Sequence, residues 1–561
     1  HGSPRPSPPI RGRCTVGRLQ EGIGSMTSLP TDQTRTPHGS VTRGITKLWV
    51  SREVGRGVGA GVERAGLMER VLAVRGLGAG TAAAFLEPSL LQLHNPSLMP
   101  DMDKAAQRLI AAARGGERIV IYGDYDVDGI SATAVLFHML KHVEPGADVA
   151  TYVPHRLDEG YGLNSDAIGT LASEGARVIV SVDCGVTAVG PARAARLAGV
   201  DLIITDHHNP PATMGELPEA FAVVHPRRAD SAYPFGDLSG SGVAFKLAWR
   251  LATMACGSDK VAAATRALLM ELLGLASLGV IADIVPLVGE NRVLARFGLS
   301  RIRGSSNVGL NALVKASGLD GEKVQADDVG FRLGPRLNAC GRLGHAREAV
   351  ELLTVAGPER AIEIATMLTR LNDDRRGIER EIADRAAEMA RSRGMTGDDT
   401  RAIVLSDAGW HKGVVGIACS RLVGMFGRPT ILMQTQEGES GLECHGSGRS
   451  IEGFNLHAAL AECGHLLLGF GGHDMAAGVR VSAGRLDEFA EAFTAVANRL
   501  LSSEDLVPVL KYDTMATLEE LTVEAVDGLA RMAPFGRDNP RPRVRVDDAM
   551  LVDRVKLMGA G

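Results

Sequence analysis

Acidic side chains stand at the ends of three apolar runs, a pattern that suits a metal site or an acid–base site. Asp124, Asp126 and Asp128 follow the first run, Asp183 follows the second and Asp206 follows the third. In an open parallel sheet the carboxyl ends of neighbouring strands line one crevice, so these carboxylates are expected to converge. Each close pair of like charges costs a few kcal/mol at an effective dielectric of about 20. Bound cations or protons must therefore relieve the repulsion.

Two histidines, His207 and His208, come directly after the last of these carboxylates. A mixed carboxylate and imidazole site suits Mn²⁺, Mg²⁺ or a related metal, and two such ions are a recurring device for phosphoester hydrolysis. The pattern therefore predicts a phosphoester hydrolase with two ions. The alternative is that each aspartate is a turn residue or helix N-cap, but the combination favours the metal site. Asp283 is weaker on spacing alone, because an aspartate late in a helix is usually solvated or capping.

The elements that must position these groups can be read from the hydrophobic pattern. Short apolar runs alternate with Ala-rich helical stretches from 117 to 208, and the runs are continuously apolar. They predict an α/β fold with a doubly wound parallel sheet. Residues 358–393 predict a long amphipathic helix that bridges two lobes. A strand-helix-strand pattern between 402 and 433 predicts a second, smaller α/β domain.

Composition narrows the class of protein. With 561 residues, 45% hydrophobic and 23% charged, the chain is typical of several globular domains rather than of a disordered or disulfide-stapled protein. The net charge of −5 means that a nucleic acid would have to bind at local basic patches. Seven cysteines without a C-x-x-C pair indicate reduced thiols, hence a cytoplasmic protein. The most apolar window, 268–287, contains Glu271 and Asp283, so no membrane span is expected.

Four segments resemble the motifs of the DHH phosphoesterase superfamily. They are Gly123–Gly129, the strand end at Asp183, Asp206–His208 and Ile281–Leu287. Within the superfamily the chain is most similar to the single-strand-specific 5′→3′ DNA exonucleases, over about residues 48–561. The resemblance implies a divalent-metal-dependent 5′→3′ exonuclease that hydrolyses single-stranded DNA in repair and recombination, with two Mn²⁺ or Mg²⁺ ions.

The resemblance also implies roles in the metal site. His208 matches the histidine that faces the scissile phosphate, and Asp206 is expected to orient its neighbours. The implied metal ligands, with Asp124 close to the others, are Asp124, Asp126, Asp128, Asp183, His207 and Asp283.

Further segments resemble the parts of the family that line the nucleotide path. Arginines in the stretch 334–342 are expected to hold phosphates, although without the resemblance an arginine-bearing surface loop is an equally good interpretation. Tyr161 is expected to stack on a base, but only 4% of the residues are aromatic, so backbone contacts should dominate. Gly-rich turns in the second α/β domain let N–H groups approach a phosphate. The predicted substrate-binding residues are Arg156, Tyr161, Asn164, Arg336, Asn338, Arg342, Ser447, Arg449, Ser450, Gly471, Gly472 and His473.

The resemblance divides the chain into five parts. They are a disordered leader at 1–43, a DHH catalytic domain with N-terminal elements at 44–345, connecting helices at 346–395, a DHHA1 substrate-binding domain at 396–505 and the start of an OB-fold at 506–561.

The OB-fold is expected to be truncated, because too few residues follow Phe535 for a five-stranded barrel. Binding of single-stranded DNA is therefore expected to be weaker. Expected partners are single-stranded DNA, a single-strand-binding protein and a helicase, with no membrane. Two alternatives stay open: a superfamily phosphodiesterase of short oligonucleotides or cyclic dinucleotides, and a DNA-binding scaffold without catalysis.

Overall fold

A computed structural model of the chain describes residues 35–36, 39–43, 47–52, 65–156, 158–438, 441–550 and 552. Most of the expected leader lies outside these residues. Its last part forms two strands, β1 (Arg35–Thr36) and β2 (Gly39–Arg43), and β2 pairs antiparallel with β3 (Leu48–Ser51). The expected leader therefore extends too far along the chain.

A parallel sheet forms the centre of the first lobe. Its strands are β4 (Arg118–Tyr122), β5 (Val149–Tyr152), β6 (Ala176–Val182), β7 (Asp201–Thr205) and β8 (Ala222–Val224). They lie in the order β5-β4-β6-β7-β8, and every neighbouring pair is parallel. Ile119 and Ile121 enter the core on one face, whereas Val120 and Tyr122 enter the core on the other. Burial on both faces explains the continuously apolar runs, and the α/β prediction is confirmed.

Helices pack on both faces of this sheet. The helices of the lobe are α1 (Leu67–Val74), α2 (Ala79–Leu86), α3 (Met102–Arg114), α4 (Val127–Val143), α5 (Ser165–Ser173), α6 (Val189–Leu197), α7 (Gly240–Cys256), α8 (Ala263–Ala282), α9 (Gly289–Ile302), α10 (Val308–Ala316), α11 (Ala326–Asp328), α12 (Gly334–Leu343) and α13 (Arg347–Thr354). A π-helical turn, Val329–Leu333, joins α11 to α12. Such turns are frequent at functional sites.

Helix α8 is long and apolar enough, by length and composition alone, to cross a membrane. It packs against α4, α7 and α9, and its middle, from Leu272 to Val280, is buried in the core of the first lobe. This packing accounts for its apolar composition. Asp283 caps its C-terminal end, which places a carboxylate at the edge of the core.

The second lobe begins after a helix of 35 residues, α14 (Pro358–Ser392). The first half of α14 packs in the core of the first lobe and its second half in that of the second. The second lobe consists of β9 (Ile403–Asp407), α15 (Val415–Phe426), β10 (Thr430–Gly438), β11 (Gly441–Arg449), α16 (Leu456–Glu462), β12 (Leu467–Gly472), β13 (Ala476–Ser482) and α17 (Leu486–Leu500). Its strands lie in the order β12-β13-β11-β10-β9, and β9 and β10 are parallel.

The C-terminal segment returns to the N-terminal strands. It contains β14 (Val509–Tyr512), β15 (Thr514–Met515), α18 (Val523–Ala530) and β16 (Val544–Arg545). β14 pairs parallel with β3, and β15 pairs with β16. These elements do not close a barrel within the described residues, so the OB-fold stays a prediction.

Candidate metal centre and nucleic-acid cleft

Two of the three aspartates that follow β4 are oriented by helix N-termini. Asp126 is the N-cap of α4, and its Oδ1 accepts N–H bonds of 2.8 and 3.2 Å from the first turn. Asp128 accepts from the N–H groups of Gly240 (2.6 Å) and Ser241 (2.9 Å) at the start of α7. Asp124 is 3% exposed and lies directly before this loop. The unpaired N–H groups and the dipole of a helix N-terminus stabilise such buried negative charge.

Asp183 stands at the end of β6 in a strained backbone conformation. Its φ of 64° lies in the left-handed region, which non-glycine residues rarely adopt. Helix α7 approaches its side chain so closely that a Cβ on Gly240 would lie 2.4 Å from Asp183 Oδ1. A larger residue at 240 would displace the carboxylate, so the glycine is part of the site.

The imidazole of His207 lies close to three carboxylates that come from different parts of the chain. Its Nε2 lies 3.1 Å from Asp183 Oδ1, 3.6 Å from Asp283 Oδ2 and 3.9 Å from Asp128 Oδ2. Three sets of side chains each offer ligand atoms within 4.8 Å of one another. The sets are Asp183, His207 and His208; Asp128, His207 and Asp283; and Asp124, Asp126 and Asp183. The strand-end aspartates and Asp283 therefore do converge.

The donor atoms fit divalent ions. Asp124 Oδ1, Asp183 Oδ1 and His207 Nε2 are buried without a hydrogen-bond partner among the described residues, which is rare for polar atoms. Burial, and then the neighbouring carboxylates, raise the pKa of Asp183 well above its ordinary value, and burial and then Asp128 raise the pKa of Asp283 to about 9. Either protons or cations must neutralise this cluster, and hard oxygen donors beside imidazole suit Mn²⁺ or Mg²⁺.

Asp206 holds the two histidines rather than joining the ligand sets. Its Oδ1 accepts from the N–H of His207 (2.7 Å) and lies 2.8 Å from His208 Nδ1, and its Oδ2 accepts from the N–H of Val186 (2.9 Å). Although burial opposes it, the Asp206 carboxylate raises the pKa of His208 to about 9. The phenol oxygen of Tyr161 lies 3.1 Å from the same Nδ1. The His208 imidazole is thus a positioned cation at the rim of the metal cluster.

A group of arginines lines the cleft between the lobes beside the metal cluster. Burial, and then the positive charges of Arg156, Arg375 and Arg449, lower the pKa of Arg342 to about 10, while Asp126 acts in the opposite direction. Arg342 also donates to the carbonyl of Gly413 in the second lobe (3.2 Å). Several guanidinium groups that repel one another form a site for an anion such as phosphate.

The second lobe contributes one wall of this cleft through β11. Arg156, Lys412, His445 and Ser447 line a cavity of about 280 Å³ there. A Cβ on Gly416, in the first turn of α15, would lie 3.1 Å from Arg449 Nη2 and 3.2 Å from Ser447 Oγ. The N-terminus of α15 therefore lies beside these basic side chains.

The glycine-rich hairpin lies at the same end of this sheet. Arg449 is paired with Ala476 of β13, and Gly472 of β12 is paired with the next residue, Ala477. Gly471, Gly472 and His473 are exposed. Contact of these three residues with a substrate stays a prediction.

Two predicted substrate residues use their amide oxygens to cap helices. Asn164 is the N-cap of α5, and its Oδ1 accepts from two N–H groups at 2.8 and 3.3 Å. Asn338 Oδ1 accepts from the N–H of Val127 (3.1 Å) in the first turn of α4. Asn338 therefore supports the metal-site loop from behind, and contact of either amide N–H group with a substrate stays a prediction.

Two further predicted substrate residues, Arg336 and Ser450, also form hydrogen bonds within the protein. Arg336 donates to the carbonyl of Arg332 (2.7 Å) and to Thr369 Oγ1 (3.2 Å), both within the first lobe and α14. Ser450 is 5% exposed, and its hydroxyl donates to the carbonyl of Phe454 (2.6 Å). These bonds stabilise the protein locally, and contact of either side chain with a substrate stays a prediction.

Sequence reasoning missed Arg375 and His445. Arg375 lies on α14, where it reaches the arginine group while it also pairs with Glu379 (2.8 Å). His445 precedes Ser447 by two residues on β11, so both side chains point to the same face of the sheet. This alternation is the signal that would have found His445.

Models of two protein families match the chain. The DHH family, N-terminal domain, matches residues 118–280, and the DHHA1 domain matches residues 399–499. The first match lies in the first lobe and the second match in the second lobe.

Relatives named single-stranded-DNA-specific exonuclease RecJ cover most of the chain. The relative from Bacillus subtilis is 41% identical over 88% of this chain and 60% of its own length. The relatives from Dickeya dadantii and Escherichia coli are 37% and 34% identical, over 85% and 88% of this chain and 82% and 85% of their own lengths. The chain thus spans about three fifths of the Bacillus subtilis protein.

Solved structures with the same fold contain metal ions. RecJ from Thermus thermophilus in complex with Mn²⁺ matches with a TM-score of 0.70 and 32% identity, over 85% of this chain and 65% of that one. Its complex with Mg²⁺ matches with a TM-score of 0.67 and 30% identity, over 88% and 67% of the two chains.

Proposed function

This chain belongs to the RecJ family of single-stranded-DNA-specific exonucleases, and from this membership we propose that it degrades single-stranded DNA from the 5′ end with two divalent metal ions. The observation that carries the proposal is the convergence of three ligand sets, with unpartnered buried donor atoms, beside a cleft of guanidinium groups. Phosphodiester hydrolysis needs both features, because the ligand sets hold the metal ions and the guanidinium groups hold the charged backbone of the DNA strand.

Two of the ligand sets support one arrangement of the ions. Asp124, Asp126 and Asp183 would hold one ion, and Asp128, His207 and Asp283 would hold the other. Bound there, the ions supply activation of water and neutralisation of charge on the phosphate. Mn²⁺ and Mg²⁺ both suit this donor set.

The residues around the ions would orient the strand. The His208 imidazolium, held by Asp206, can donate a hydrogen bond to the phosphate under attack. Arg156, Arg342 and Arg449 would hold the phosphates near the 5′ end in the cleft. The ring of Tyr161 is 53% exposed and can stack on a base. These contacts read the sugar–phosphate backbone, so little sequence preference is expected.

The proposed cellular setting follows from the same membership. We place the enzyme in the cytoplasm, in DNA repair and recombination. A helicase would supply the single strand, and a single-strand-binding protein would cover it.

Digestion of labelled DNA tests the proposal. A 5′-labelled single strand should release label at once as a mononucleotide, a 3′-labelled strand should give a ladder of shortening products, and duplex should resist. Mn²⁺ or Mg²⁺ should support the reaction and a chelator should stop it. Turnover confined to very short oligonucleotides or cyclic dinucleotides would favour the phosphodiesterase alternative. Strand binding without turnover in either metal would favour the scaffold.

Arg449→Ala is expected to raise the KM for single-stranded DNA about 10-fold or more with a smaller change in kcat. A charge-assisted hydrogen bond contributes roughly 1.5–3 kcal/mol, and this guanidinium lies in the cleft away from the ligand sets. Steady-state kinetics on a 5′-labelled strand, with binding measured by fluorescence anisotropy in Ca²⁺, checks the expectation.

Arg499→Ala is the matched control. Arg499 is an exposed arginine of the same lobe and forms an ion pair with Glu462 on the surface. Its replacement should leave KM within about 2-fold, because exposed pairs contribute little. Equal losses in both variants would mean that net charge, not the cleft, binds the strand.

A further inference from the structure

The fifth strand of the catalytic sheet ends without a carboxylate. β8 is paired with β7, whose end carries Asp206, His207 and His208, and β8 itself runs into His225, Pro226 and Arg227. By the topology of the sheet these residues reach the same crevice as the metal ligands.

His225 makes two hydrogen bonds that fix its protonation. Its Nε2 donates to the carbonyl of His208 (2.7 Å), and its Nδ1 accepts from the N–H of Arg227 (2.9 Å). Since Nδ1 accepts, the ring is neutral and carries its proton on Nε2. His225 is 0% exposed, so no water competes for either bond.

Arg227 holds the neighbouring peptide. Its Nη2 donates to the carbonyl of His207 (2.6 Å). The stem of Arg227 packs against Gly236, where a Cβ would lie 2.8 Å from Arg227 Cγ. The guanidinium is thus placed by packing as well as by its hydrogen bond.

Together with Asp206 these residues hold the two histidines from both sides. The carboxylate of Asp206 binds the N–H groups of His207 and His208, and the side chains from β8 bind their carbonyls. With both peptide groups held, the backbone from which the two imidazoles project is fixed before metal or substrate arrives.

We propose that His225 and Arg227 are positioning residues, His225 aiming the His208 imidazole at the phosphate and Arg227 aiming the His207 imidazole at its metal ion; the inference rests on the proposed exonuclease activity. Neither side chain touches substrate or metal. Partners of this kind typically change activity or metal affinity by about 10- to 100-fold when removed.

The test of His225 compares two replacements. His225→Leu fills much of the volume but has no donor, so kcat should fall about 10- to 100-fold with KM for the strand within about 3-fold. His225→Asn carries both a donor and an acceptor on a planar amide, so it should recover most of kcat. The melting temperature of each variant shows whether the fold is kept.

The test of Arg227 uses binding rather than turnover. Arg227→Met keeps the length of the stem and removes the donor to His207. Its affinity for Mn²⁺, measured by titration calorimetry without DNA, should be about 10-fold lower than that of the native protein. His225→Leu should leave Mn²⁺ affinity nearly unchanged.

Each result bears on one residue or on the activity itself. A His225→Leu enzyme with native kcat, or an Asn variant as slow as the Leu variant at equal melting temperature, would overturn the positioning role of His225. Native Mn²⁺ affinity in Arg227→Met would overturn the role of Arg227. If the native protein itself hydrolyses no strand, the proposed exonuclease activity fails, while the Mn²⁺ titration of Arg227→Met still tests the role of Arg227.

Discussion

Asp183→Asn is expected to lower kcat by about 10³-fold or more, since losing several kcal/mol of metal stabilisation corresponds to this factor. Asp183 belongs to two of the three ligand sets, and its Oδ1 has no other partner in the described chain. An amide at this position is a poor ligand for the ion that Asp124, Asp126 and Asp183 would hold. Single-turnover digestion of a 5′-labelled strand in saturating Mn²⁺ measures the loss.

The same change should stabilise the protein when no metal is bound. Burial and the carboxylates of Asp128 and Asp126 raise the pKa of Asp183, so the folded protein binds this proton more tightly than the unfolded chain. That contribution to stability is present below the ordinary carboxylate pKa and is lost as the pH rises. At pH 8 in chelator, Asp183→Asn should therefore melt higher, by about 2 °C or more.

Asp513→Asn is a control that is expected to change the melting temperature in the opposite direction. Asp513 is 2% exposed, belongs to no ligand set and forms ion pairs with Arg75 (2.9 Å) and Arg52 (3.3 Å). Removing its charge leaves the buried Arg75 guanidinium with only the neutral amide oxygen of Asn539 (2.8 Å), so the melting temperature should fall while hydrolysis stays within a few-fold. If the Asp183→Asn protein melts at a lower temperature than the native protein in chelator, the carboxylates do not destabilise the metal-free protein by mutual repulsion.

The metal centre was predictable because its positions follow from strand ends. Asp124, Asp183 and Asp206 each end a buried strand, and parallel topology alone brings such ends to one crevice. Asp283 could not be placed in the same way, because it caps a helix whose packing depends on α4, α7 and α9. Only the resemblance to the DHH superfamily included it.

The substrate side was less predictable, since polar side chains have competing uses. Asn164 and Ser450 have polar groups that could bind a phosphate, but the amide oxygen of Asn164 and the hydroxyl of Ser450 bond to nearby backbone groups. These backbone groups lie only two to four residues further along the chain, so local capping competes with substrate contact. The pairing of β14 with β3 is a contact between distant parts of the chain, and no local pattern encodes such a partner.

Mn²⁺ is expected to stabilise the protein far more at pH 8 than at pH 5.5. The pKa of Asp283 is raised to about 9 by burial and then by Asp128, and those of Asp124 and Asp183 are raised as well. At pH 5.5 protons therefore occupy the cluster and compete with the ions. Once the carboxylates are free, Mn²⁺ at 1,000 times its Kd would add about 4 kcal/mol of stability.

The metal-free protein should show the reverse trend. Each raised carboxylate, and His208 with its pKa of about 9, contributes stability at low pH that is lost as the pH rises to about 9. The melting temperature in chelator should therefore fall from pH 5.5 to pH 9. The difference between the melting temperatures in Mn²⁺ and in chelator should grow over the same range. Calorimetry in two buffers of different ionisation enthalpy should also show protons released on Mn²⁺ binding near pH 7. A Mn²⁺-induced shift of equal size at both pH values, without proton release, would mean that the ions bind outside this cluster.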